Sequence, residues 1–208
     1  QLSTTSPTAT TVPTTSSGKV TAPAGGGGLG KLTTSSSKDE VATAIYWEAL
    51  RRGYTHDEAV ALISTGLQES GLSPTASGGG GAWLGVYQQD GSYPGRTDPN
   101  ENITAFLDRL DAKRKDDGAS RDIWKNIFWL QQAPGISTAD SAFAGGRQAY
   151  LPEIQSKKDE AAKLADAARK KGTSTPDTKT PVKVTTDGND PLKVTSDDAA
   201  DGPVLDIN

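Results

Sequence analysis

The chain has 208 residues, 33% of them hydrophobic, with a net charge of −4. That acidic balance removes the electrostatic case for nucleic-acid binding, which needs a basic face. The absence of cysteine excludes disulfides and thiolate metal sites, and a single histidine, His56, excludes a His-rich zinc site and weakens any Ser-His-Asp arrangement, so no metal or other cofactor is expected.

All four tryptophans, Trp47, Trp83, Trp124 and Trp129, lie between residues 47 and 129, away from both ends. One compact domain with weakly folded ends is therefore expected. No run approaches the ~20 apolar residues of a membrane span. No signal peptide is visible, and methionine is absent. The chain is thus expected to be a processed product or a piece of a longer polypeptide.

Residues 1–36 are built from Ser, Thr, Pro and Gly and read as an extended linker. Ser37 and Glu40 have the spacing of a capping box, and Val41 and Ile45 open a helix that Gly53 closes. Thr55 and Glu58 form a second box, with His56 read as a surface residue at the helix start. Val60, Leu62, Ile63 and Leu67 follow at helical spacing up to Gly71, which predicts two short antiparallel helices. Residues 73–97, rich in Gly, Ser and Pro, predict a long loop or small hairpin, a feature that is often functional.

Asp98, Pro99 and Glu101 predict the next helix start, and Ile103, Phe106, Leu107 and Leu110 its apolar face. A further helix is expected after Ser120 as cap. Trp124, Ile127 and Phe128 point inward there, and Trp124 and Trp129 are read as core. The segment 137–146 predicts a short helical turn. Tyr150–Lys171 reads as one long helix whose Ala/Lys turns are solvated, or packed against a second copy of the chain. The acidic tail, 172–208, repeats "PVKVTTDGND" as "PLKVTSDDAA". These short alternating segments could add as edge strands to a partner. The fold class expected is mainly α: a helical domain over 37–171 between extended low-complexity segments.

The chemistry concentrates in "TGLQESGLSPTASGGGGAWLGVYQQDGSYPG". Glu69 emerges from an apolar helix, where partial burial would raise its pKa toward that of a general acid for glycosidic cleavage. Gly78 to Gly81 would allow close approach of a glycan. Trp83, Tyr87 and Tyr93 could stack on sugar faces, and Gln68, Gln88 and Gln89 could bind hydroxyl and N-acetyl groups.

Glu69-Ser70, Ser73-Pro74, Ala76 and Gly85-Val86-Tyr87-Gln88 together resemble the goose-type lysozyme and lytic transglycosylase pattern. "YPGRTDPNENITAFLDRL" and "WLQQAPG", in that order, are similar to the lysozyme-like segments of actinobacteriophage tail tape measure proteins and actinobacterial cell-wall hydrolases. The resemblance spans about residues 38–155. It departs at the glycine run and at Tyr87, where Phe or Met is usual. It implies a lysozyme-like fold, Glu69 as catalytic acid/base and Ser70 within the substrate-binding set. It also implies cleavage of the bond between N-acetylmuramic acid and N-acetylglucosamine. One carboxylate suffices for an anhydro-forming route; a hydrolase more often uses a second, and Asp90 and Asp98 are the acids near in sequence.

Three settings follow. One is the C-terminal part of a phage tail tape measure protein, located at the virion tail tip, bound to tip proteins through its extended termini, and opening the host wall during genome delivery. Another is a secreted bacterial hydrolase on a stalk. The third is a non-catalytic structural module with the same fold.

Overall fold

The computed structural model describes residues 32–173. The proposed linker up to residue 31 and the repeat tail from residue 174 lie outside the described residues. The described part is mainly helical, with seven α-helices and one two-stranded sheet.

α1 (Lys38–Arg51) and α2 (His56–Ser70) begin as the sequence predicts. Each has a complete capping box, Ser37 with Glu40 and Thr55 with Glu58, in which side chain and backbone bond reciprocally. Gly71 ends α2 in the left-handed conformation, φ +67°. His56 is half-buried rather than a surface residue, its Nδ1 3.2 Å from the Tyr46 hydroxyl.

α2 is the central element. Every residue from Ala59 to Leu67 is buried, so the helix is enclosed on all sides. It packs against α1, against α4 (Ile123–Gln132), α6 (Tyr150–Gln155) and α7 (Lys158–Thr173). Its polar members are satisfied: the Ser64 hydroxyl donates to the Ile154 carbonyl, and Thr65 donates to Ala61.

α3 (Pro99–Lys115) has Pro99 in its first turn, and the Asp98 carboxylate accepts from the Asn100 and Glu101 amides. Ile103, Phe106, Leu107 and Leu110 are fully buried, as expected. α4 is capped by Asp122, not by Ser120. The Ser120 hydroxyl instead accepts from the Asp122 amide and so shapes the entry to the cap. Trp129 is buried as core, while Trp124 is only partly covered. The short turn appears as α5 (Ala139–Gly145).

The expected single helix from Tyr150 is two. α6 ends at Gln155, and α7 starts afresh three residues later. The alanine turns of α7 are not solvated: Ala161, Ala165 and Ala168 are fully buried against α1 and α2. Small side chains allow this close approach, and Gly172 comes against the Trp47 indole. Residues 32–36, grouped with the linker by composition, lie on this domain. Leu32 packs on the core and exchanges two hydrogen bonds with the Asn100 side chain.

Between α2 and α3 the glycine run makes a small hairpin. β1 (Ser77–Gly78) pairs antiparallel with β2 (Trp83–Leu84) across a 3₁₀ turn, Gly79–Gly81. Positive φ values at Gly79, Gly80 and Gly81 explain why this turn needs glycine.

Candidate functional site

Glu69 sits in the last turn of α2, where the buried run gives way to half-buried residues. Its Oε1 accepts a 2.6 Å hydrogen bond from the Tyr150 hydroxyl. Tyr150 is itself almost wholly buried at the start of α6. Burial pushes the Glu69 carboxyl above the ordinary glutamate range; the Tyr150 bond and the positive charge of Arg147 oppose this, and Glu153 adds to it. The upward effect wins, so Glu69 holds its proton closer to neutrality than a surface glutamate does. Glu153 is tied to Arg147 by two bonds, 2.8 and 2.7 Å.

A cleft of about 570 Å³ lies between the hairpin region, α3 and the end of α4. One wall is the α3 face that carries Arg109 and Lys113; the other is Trp83 with the loop from Gln88 to Tyr93. Gln131 of α4 lines the cleft, and α4 packs against α6, which carries Tyr150.

The residues singled out from sequence do not all come together: Glu69, Gln68, Ser70 and Tyr87 are not among the residues lining the cleft. Trp83, Gln88 and Tyr93 line the cleft, and Trp83 is 47% exposed. Gln68 is half-buried beside Glu69 and is not among the residues lining the cleft.

Tyr87, Gln89 and Ser70 have structural roles instead. Tyr87 is wholly buried, stacked on Phe106 at 3.8 Å and bonded through its hydroxyl to the Leu62 carbonyl. It cannot stack on a sugar, because both its faces and its polar tip are occupied. Gln89 touches the cleft, but it is 2% exposed and its amide is spent on Asn102, donating to the carbonyl and accepting from Nδ2. Ser70 donates to the Gly66 and Val86 carbonyls and accepts from the Ser73 amide, which fastens the helix end to the loop. Of the two nearby acids, Asp98 caps α3, and Asp90 accepts from the Ser92 amide and hydroxyl, which hold its carboxyl below the usual range.

Sequence reasoning missed Tyr150, Gln131, Arg147 and Asn102. Asn102 is the hub of the loop. It accepts from the Tyr87 amide and donates toward the Leu84 and Arg96 carbonyls and the Gln89 amide oxygen. Gly85 sits directly against it at φ +76°, where any side chain would collide. The available signal was an asparagine inside the apolar face "NITAFLDRL", since a buried amide must find partners. Gln131 lay within "WLQQAPG"; Tyr150 gave no local sign of its partner.

Among the described residues no cluster of three metal-ligating side chains occurs, and no helix is long and apolar enough to cross a membrane. Comparison of the chain with protein-family models, with curated proteins and with solved structures gave no match.

Proposed function

We propose that this domain is lysozyme-like and cleaves the glycan strand of peptidoglycan, with Glu69 as the catalytic acid. The observation that carries the reading is a partly buried carboxyl of raised proton affinity, bonded to Tyr150 of α6; α6 packs on α4, whose Gln131 lines a cleft with an exposed tryptophan at its lip. A glycosidic oxygen is a weak base, so its departure requires a proton in the transition state. Glu69 holds that proton; Tyr150 fixes the direction in which it is delivered. Trp83 supplies a flat apolar face for a sugar ring, and Gln88 and Tyr93 supply polar edges.

The anhydro-forming route suits this site best. Glu153 is the carboxylate that acts on Glu69, and Arg147 neutralises it. Asp98 is engaged as a cap and Asp90 in a turn. Glu69 gives its proton to the leaving oxygen, then as carboxylate takes the C6 hydroxyl proton while that oxygen closes on C1. No water is consumed. The setting we propose is a phage tail tape measure protein acting at the host wall, which the low-complexity composition of residues 1–36 and 172–208 supports.

Mass spectrometry of fragments released from purified peptidoglycan tests this. Glycans ending in a muramyl residue lighter by one water are expected from the native chain and none from Glu69→Gln. Full-mass reducing ends would replace the anhydro route by hydrolysis. Release that persists in Glu69→Gln removes Glu69 as the acid.

A further inference from the structure

Arg147, Tyr150 and Glu153 follow one another at intervals of three residues around the start of α6. The Tyr150 amide donates to the Arg147 carbonyl at 2.9 Å, which folds this stretch into a turn. The two terminal nitrogens of Arg147 donate to the two Glu153 oxygens, and the guanidinium lies 5.7 Å from the centre of the Tyr150 ring. The ion pair thus spans the residue whose hydroxyl bonds Glu69. Both partners are more than a third exposed, so the pair adds little to stability. After burial and the Tyr150 bond, the charges acting on Glu69 are Arg147, which favours its ionised form, and Glu153, which opposes it. Charges on the other helices packed against α2 have partners elsewhere: Lys38 of α1 with Glu160 of α7, Arg169 with Asp166 within α7, and Lys125 of α4 with Asp140 of α5. Two opposite charges held together largely cancel at a third group, whereas either one alone is felt there.

Resting on Glu69 as the acid of the proposed reaction, we propose that Arg147 and Glu153 are a positioning pair for it: their fork holds Tyr150 against the carboxyl, and each cancels the other's charge there. Burial and the Tyr150 bond are then left to set the pH range in which Glu69 donates.

NMR titration of the Glu69 side-chain carboxyl carbon in the full chain tests this, with the signal assigned by its loss in Glu69→Gln. Arg147→Gln removes the positive charge and frees the Glu153 carboxylate, so the Glu69 midpoint rises. Glu153→Gln leaves Arg147 unopposed, so the midpoint falls. The double variant returns it toward the native value, and Arg147→Lys, which keeps the charge, stays near it. Added salt shrinks both single shifts, because the pair faces solvent. Disturbed packing alone would move both single variants the same way. Shifts of one direction, or no shift in either, overturn the proposal. The titration needs no substrate, which separates it from the cleavage reading. Unmoved midpoints in a chain whose glycan release depends on Glu69 remove only the role of the pair. Opposite shifts in a chain that releases no glycan remove the catalytic reading and leave the charge coupling standing.

Discussion

Glu69 is held between opposing influences, and the balance between them sets its use. Burial favours the protonated form; the Tyr150 hydroxyl, donating at 2.6 Å, favours the ionised one. Tyr150→Phe deletes the second influence. The Glu69 pKa then rises further, and the alkaline limb of the kcat/KM profile moves to higher pH; an unmoved limb would mean that Tyr150 does not act on the acid. Glu69→Gln is expected to lower glycan cleavage by about 10²–10⁴, the usual contribution of a general acid. The same change affects stability. A carboxyl whose folded pKa is raised stabilises the fold fully below its unfolded value and loses that contribution as pH rises through the folded value. Glu69→Gln should therefore raise the melting temperature near neutral pH, with the difference vanishing below about pH 4. Thermal scans at the two pH values check this. Asn102 is the other decisive residue: replacing it by leucine strands the loop carbonyls it serves, at a cost of about 1–3 kcal/mol per buried group left unpaired, measurable by denaturant unfolding.

At the level of elements, the helix starts follow from neighbouring residues and could be read directly. Ser37 with Glu40 and Thr55 with Glu58 bond across three positions, so no distant partner is needed. Ser37→Ala or Thr55→Ala should cost ~1 kcal/mol each. α7 is the opposite case. Its sequence is polar enough to suggest a solvated helix, yet a narrow alanine stripe lies flat on α1 and α2. A stripe of small residues has little hydrophobic signal, and its burial depends on what faces it. Ala165→Leu should destabilise the domain by ~1–3 kcal/mol through overpacking, whereas a solvated helix would tolerate the change. The hairpin lies between these cases: its glycines announce an unusual backbone, but its pairing is visible only in the fold.

Across the whole molecule, the mainly helical class, the positions of most helices and the placement of a carboxylate at the end of a buried helix were all legible from the chain alone. They rest on capping, on 3.6-residue periodicity and on glycine or proline at the ends, and each of these acts within a turn or two. The roles of the site residues were decided only when distant elements met. Tyr150 reaches Glu69 from 81 residues along the chain. Tyr87 and Gln89, which as aromatic and amide look like sugar contacts, are enclosed by Phe106 and Asn102 of α3. Trp83 stays exposed at the cleft, while Tyr93 lies half-buried there under the Arg109 guanidinium of α3. An aromatic ring or an amide serves equally well in a core or at a ligand, and only the packing around it determines which.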